Sequence, residues 1–203
     1  MIGVITGDVI NSRSKSPEIW LNKIKATLKK NKIPKRKWDI FRGDMFQIEV
    51  EIIKILALAI ELKAAIKEDK YLDLRMSIGI GAKEYTANNV MESNGEAYIN
   101  SGEEFEILKK TNLKIKTPWK EFNSRWNMIF GVALLTMDNW APITAEIIKT
   151  TLQSQNKTQK EIAQILKKSP SSISEGLSRA GHDEIKQMIS QFNKEIILNK
   201  NAI

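Results

Sequence analysis

Phe41-Arg42-Gly43-Asp44-Met45-Phe46-Gln47-Ile48-Glu49-Val50 joins two runs of strand-forming residues, 38–41 and 46–50, through an Arg-Gly-Asp turn. Apolar alternation on either side of a glycine-containing turn predicts a tight β-hairpin with Asp44 at its tip. Upstream, the apolar opening run Ile2-Gly3-Val4-Ile5-Thr6-Gly7 predicts a first strand that finishes at Asp8, again just after a glycine. If that strand pairs beside the hairpin, Asp8 and Asp44 meet at one edge of a sheet. Two carboxylates that close repel, and the usual relief is a divalent cation.

Composition narrows what that cation can be. The 203 residues are 42% hydrophobic and 28% charged, ordinary values for a globular chain with a real core. Cysteine is absent and His182 is the one histidine, which excludes disulfides, thiolate zinc sites and histidine-cluster metal sites. A metal must therefore sit on carboxylates, which suits Mg²⁺ or Mn²⁺. The net charge of +8 fits polyanionic partners such as nucleic acid or nucleotides, although an AT-rich coding sequence would enrich lysine without any such selection. No signal peptide precedes the first strand, and the apolar segments 52–62 and 128–137 are too short to span a bilayer. The expectation is a cytoplasmic protein with no membrane partner.

In chain order, a polar loop with Ser12 and Arg13 follows Asp8, and Pro17, Ile19, Trp20, Ile24 and Leu28 space out a helix over 17–30. The basic run 29–37 reads as a solvated connection, and 51–67 reads as a long buried helix. Residues 72–81 alternate as a half-buried strand ending in Gly79-Ile80-Gly81, too short a glycine pattern to identify a phosphate loop. A helix from 95 to about 110, a short edge strand at 113–116 and a helix over 119–139 complete this half. The order β-α-β-β-α-β, with one helix and one strand appended, predicts an α+β fold. Its core would be a ferredoxin-like antiparallel sheet with both helices on one face.

Asp138-Asn139-Trp140-Ala141-Pro142 marks a seam, which divides the chain into domains 1–139 and 140–203. Short helices follow at 143–153, 158–166 and 170–180, the second opened by a Thr158–Glu161 capping box, and a final amphipathic helix carries Ile185, Met188, Ile189, Phe192 and Ile196. The spacing of 158–180 is that of a helix-turn-helix, with Ile162, Leu166, Ile173 and Leu177 as its small core and Ala163 at the crossing. Ser171, Ser172, Ser174, Glu175, Ser178 and Arg179 then face outward, and Gln159 can donate to a phosphate, so DNA is the expected partner of 158–180. Lys167 replaces the glycine usual at the turn, and Glu175 sits badly beside phosphates unless it reads a cytosine amino group. A plain helical pair used for dimerisation is the alternative.

The pattern of strand-Asp, helix, Gly-Asp hairpin, helix and Gly-Ile-Gly strand resembles the shared core of nucleotidyl cyclases and polymerase palm domains. Arg42-Gly43-Asp44-Met45-Phe46 is similar to the diguanylate cyclase signature Gly-Gly-Asp-Glu-Phe, and Arg75 to Gly81 followed by Gly95-Glu96-Ala97 is similar to later motifs of class III adenylate cyclases. The resemblance implies that Asp8 and Asp44 hold Mg²⁺ or Mn²⁺ with a nucleoside triphosphate, which Ser12, Arg13, Arg42 and Gly43 help to bind. It also has departures: Arg42 and Met45 replace the signature's first glycine and second acid, Asn100 is out of register by one, and Glu104 stands where an arginine is expected. The charge of a transferred phosphoryl then lacks its usual cationic partner, so binding is better supported than turnover.

Over nearly its whole length the chain resembles the SatD family of bacterial proteins, which is associated with stress tolerance. The residues concerned are Thr6 to Arg13, Phe41 to Gln47, Gly95-Glu96-Ala97-Tyr98 with Ser101-Gly102, and the Trp140-x-Pro142 entry to the last helices. The expected function is a nucleotide- and Mg²⁺-binding cyclase-like domain coupled to a DNA-binding helix-turn-helix. An active metal-dependent nucleotidyl cyclase or transferase, and a non-catalytic protein-interaction scaffold, are the alternatives. A homodimer is expected by analogy alone.

Overall fold

The computed structural model describes residues 1–154 and 156–201. The chain is α+β, and its elements run β1 (Ile2–Ile10), α1 (Pro17–Lys30), β2 (Trp38–Phe41), β3 (Met45–Val50), α2 (Ile55–Lys67), β4 (Asp73–Gly81), α3 (Glu96–Glu106), β5 (Leu113–Lys116), α4 (Lys120–Met137), α5 (Pro142–Leu152), α6 (Gln159–Leu166), α7 (Pro170–Ala180) and α8 (His182–Asn201).

One five-stranded sheet has the order β2-β3-β1-β4-β5. The apolar opening strand β1 lies at its centre, antiparallel to β3 on one side and β4 on the other, with Asp8 opposite both Met45 and Arg75. The first four strands are antiparallel, as the sequence predicts, but β5 runs parallel to β4, so the sheet is mixed. Parallel neighbours need a crossover, and α3 supplies it from the face opposite α1 and α2. α1 and α2 pack on one face of the sheet and α3 on the other.

Alternation along β1 serves both faces. Ile5 and Val9 join the main core with Trp20 and Ile24 of α1 and Ile55 of α2. Val4 joins a smaller cluster with Val90, Ala97 and Tyr98, and the Thr6 hydroxyl donates to Ser101 Oγ of α3 at 3.0 Å. Helix α3 rides unusually close to β4 because Gly79 has no side chain there: a Cβ at that position would lie 2.2 Å from the Ala97 carbonyl oxygen. Packing thus accounts for Gly79, part of a Gly-Ile-Gly pattern that in sequence does not identify a phosphate loop.

The exposed edge of β5 is closed by asparagines of α4. Asn127 accepts from the Ile115 amide at 2.8 Å and donates to its carbonyl at 3.0 Å, while Asn123 does the same for Thr117 at 2.9 and 2.8 Å. Their amides satisfy groups that would otherwise offer a template to another strand.

The helices after the seam share the core of the sheet. Ile147 and Ile148 of α5, Ile173 and Leu177 of α7, and Phe192 of α8 belong to the same buried cluster as Ile5 and Leu56. Lys63 of α2, 1% exposed, reaches Asp73 of β4 and Asp138 at the end of α4, both at 2.6 Å. Lys67 adds a bond to the Asp138 carbonyl at 2.7 Å, and Lys149 of α5 pairs with Glu68 just beyond α2.

Glu49 of β3 is a second buried charge, 4% exposed. Burial pushes its carboxyl up, but bonds from Lys83 at 2.6 Å, from the Tyr98 hydroxyl at 2.7 Å and from Lys37 at 3.0 Å outweigh this and bring it down to about 2. A carboxylate with a depressed folded-state pKa stabilises fully above its unfolded value near 4.5 and loses that contribution as pH falls towards 2. Urea titrations between pH 5 and pH 2 should show about 2 to 3 kcal/mol of stability lost through this group, and Glu49→Gln should flatten that part of the profile.

Candidate functional site

The acidic edge assembles from three strands. β1 continues two residues past Asp8, to Ile10, so Asp8 projects from within a strand rather than from its end. The hairpin between β2 and β3 turns through Arg42 (φ 49°) and Gly43 (φ 93°), two successive left-handed residues, and delivers Asp44 immediately before β3. A non-glycine residue in that region costs roughly 1 kcal/mol or more, and Arg42 carries that cost at an exposed position. The Val9 amide donates to the Asp44 carbonyl at 3.3 Å, which ties the hairpin tip to β1. Beyond β1, residues Ser12–Ser14 form a single 3-10 turn, and the Ser12 hydroxyl donates to Asp44 Oδ2.

The expected pair of carboxylates is thus brought to one edge, and Ser12 joins it. Arg13, Arg42 and Gly43 lie beside them, exposed. What the sequence reading lacked is Arg75. Its guanidinium grips Asp8 as a fork, Nε to Oδ1 at 3.1 Å and Nη2 to Oδ2 at 2.5 Å, while Nη1 donates to the Leu108 carbonyl at 3.3 Å. The Phe105 ring lies 5.3 Å from the guanidinium carbon. The bond to Asp8 raises the Arg75 pKa above its ordinary value against the opposing effect of burial, and the charge of Asp44 raises it further. A cation therefore already offsets the charge of Asp8. No local pattern in the sequence signals it: only once β1 and β4 are paired antiparallel does Arg75 fall directly opposite Asp8, and opposed residues share a face.

Asn100 and Glu104 stand apart from this edge. Asn100 donates to the Ile80 carbonyl at 2.9 Å, and Glu104 pairs with Lys114 at 3.5 Å. Among the described residues, no group of three or more His, Asp or Glu side chains is placed to hold a metal. The donors at the edge are the two carboxylates alone, one of them already shared with Arg75.

The second candidate surface is the pair α6 and α7. Thr158 and Glu161 form the predicted capping box, with the Thr158 hydroxyl accepting from the Glu161 amide at 3.3 Å and the Glu161 carboxylate accepting from the Thr158 amide at 2.7 Å. Lys167 ends α6 in the left-handed region (φ 52°, ψ 43°), the conformation for which a glycine is usual. Ser169 then caps α7, its hydroxyl accepting from the Ser172 amide at 3.1 Å. Ile162, Ala163, Ile173 and Leu177 are buried between the helices, and Leu166 packs half-buried against them. Gly176 is the position that sequence reasoning passed over. A Cβ there would lie 2.4 Å from Ile147, so this glycine lets α5 seat against α7.

Gln159, Ser171, Ser172, Ser174, Ser178 and Arg179 are all exposed. Ser171, Ser172 and Ser174 lie in the N-terminal half of α7. Ser178 and Arg179 lie at its far end, where they line a groove with α4 and α8. Arg179 and Glu175 face each other at 3.6 Å, which offsets the charge on that stretch.

Comparison with protein-family models, curated proteins and solved structures finds no match to this chain.

Proposed function

We propose that this protein is a nucleotide-responsive DNA-binding regulator, in which the acidic edge binds a metal-bearing nucleotide without turning it over. The observation that carries the reading is the Asp8–Arg75 fork. A catalytic metal pair needs its carboxylates open, whereas here a guanidinium occupies one of the two. The strand arrangement supports the cyclase-like part: β1-α1-β2-β3-α2-β4 with spatial order β2-β3-β1-β4 is the ferredoxin-like pattern.

Two carboxylates suit one Mg²⁺ or Mn²⁺ that keeps several waters and arrives with phosphates. Asp8 and Asp44 would hold it, and it would neutralise phosphate charge. Arg75 and such an ion compete for Asp8, so binding at the edge is linked to where Arg75 rests. Arg13 and Arg42 are the exposed cations nearest to hand for phosphates, and Ser12 holds Asp44 in place.

The DNA-binding part rests on α6 and α7 as a helix-turn-helix. Small hydroxyl side chains at Ser171, Ser172 and Ser174 suit close approach to base edges, and Lys160, Lys167 and Lys168 add phosphate-seeking charge around the pair. A homodimer fits the exposed face of α4, where Met128, Val132 and Leu135 are 67%, 66% and 74% exposed. Residues 126–137 carry no charge at all, in a chain that is 28% charged. Gly131, with open space about it, lies on that face. Charge depletion marks interface cores, and a two-fold crossing of α4 on its copy at Gly131 would cover the face.

Two measurements test this. Isothermal titration with ATP and with GTP should show binding only with Mn²⁺ or Mg²⁺, lost in Asp44→Asn, and chromatography of the incubated nucleotide should return it intact. Product that disappears in Asp8→Asn would favour the cyclase alternative, and no binding would favour the scaffold. In DNA-binding titrations two chains should bind per duplex. Ser174→Glu should weaken binding by at least about tenfold, and Lys160→Ala should lower the salt slope by about one. DNA binding indifferent to both substitutions contradicts the assignment of α6 and α7.

A further inference from the structure

A cavity of about 800 Å³ lies where the sheet's helices meet the last four, walled by α2, α6, α7, α8 and the end of α5. Its volume is within the range of sites that enclose small molecules. None of the residues at the acidic edge contributes to it.

Glu61 of α2, 4% exposed, is part of its lining. Asn31 donates to its carboxylate at 2.7 Å, but no cation reaches it within ion-pair distance among the described residues. Burial raises its pKa, with Asn31, Gln153 and the charge of Lys30 opposing. Asn193 of α8 lies on the same wall, and its buried Oδ1 has no hydrogen-bond partner. A buried acceptor left without a donor is costly, and that of Asn193 belongs to this cavity.

Lys157, Lys186 and His182 also line it. Lys157 pairs with Glu161 at 3.7 Å and His182 with Asp183 at 2.9 Å, whereas the exposed Lys186 has no carboxylate within ion-pair distance among the described residues. Ile53, Ile162, Leu177 and Ile189 contribute apolar side chains to the lining.

We infer that this cavity binds a nucleoside monophosphate. The ligand must carry an N–H or O–H donor for Asn193, an apolar body for Ile53, Ile162 and Ile189, and an anion for Lys186. A sugar phosphate lacks the apolar body, and a fatty acid lacks the donors. A base, ribose and phosphate supply all three. Ile162 and Gln159 of α6 and Leu177 of α7 form part of the wall, so occupancy bears directly on how those two helices sit. The inference is independent of the acidic edge and needs no metal.

Isothermal titration of the full chain in EDTA, with AMP, with GMP and with inorganic phosphate, tests it. At least one nucleotide should bind saturably, with affinity reduced about tenfold in Lys186→Ala and reduced in Glu61→Gln, but unchanged in Asp44→Asn. Inorganic phosphate at the same concentration should not compete. Lys186 is exposed, so its variant stays informative if Glu61→Gln fails to fold. Absence of nucleotide binding, equal competition by inorganic phosphate, or binding unchanged in Lys186→Ala would each overturn the inference. Loss of metal-dependent ATP or GTP binding in Asp44→Asn with AMP or GMP binding intact would separate this cavity from the acidic edge.

Discussion

Lys63 is the side chain on which the arrangement of the two halves depends. It lies in α2 among mostly apolar residues, 1% exposed, and its ammonium is bonded to Asp73 of the sheet and Asp138 at the end of α4. A buried charge is tolerated only when paired and hydrogen-bonded, so α2, β4 and the end of α4 are held in one relation. Asn112 adds a bond to Asp138 at 3.1 Å. The seam at 138–142 that reads in sequence as a domain boundary is therefore anchored. Trp140 packs there as a buried residue, its indole N–H donating to the Ala180 carbonyl at the end of α7 at 3.1 Å.

That anchoring gives the proposed coupling a physical route. α2 carries Glu61 towards the cavity and Lys63 towards the sheet, and α5 lies against it. The acidic edge sits on β1 and β4, and β4 begins at Asp73, one of the partners of Lys63. A change at Asp8 and Arg75 thus acts on a strand whose first residue is clamped to α2. Arg75 itself also holds the Leu108 carbonyl, between α3 and β5. Coupling of this sort requires the helices after the seam to unfold and move with the sheet rather than apart from it.

Much of the fold was legible because its elements are locally consistent. The hairpin alternates, Pro17, Pro142 and Pro170 each open a helix, and Thr158 with Glu161 announces α6. The acidic pair was legible because both carboxylates follow glycines near strands. Register was not: that Asp8 faces Arg75 depends on pairing across 67 residues, and no local pattern reports it. The direction of β5 was equally hidden, since it depends on which face α3 takes, and that depends on Gly79 admitting a helix backbone. Lys63 and Glu61 were hidden for a different reason. Charged residues in an apolar helix read as its solvent face, and only the positions of Asp73, Asp138 and Asn31 show otherwise.

The central claim is that the sheet and the helices after the seam form one cooperative body held through Lys63. Equilibrium urea unfolding, followed at once by far-ultraviolet circular dichroism and by tryptophan fluorescence, measures this directly. Trp20, Trp38, Trp119 and Trp126 lie before the seam, and Trp140 lies at it. The account predicts a single transition coincident in both signals. It also predicts that Lys63→Ala, which leaves Asp73 to Lys67 and Asp138 without its ammonium partner, lowers stability by about 1 to 3 kcal/mol while the signals stay coincident. Two separate transitions in the native sequence, or a Lys63→Ala variant as stable as the parent, would contradict it.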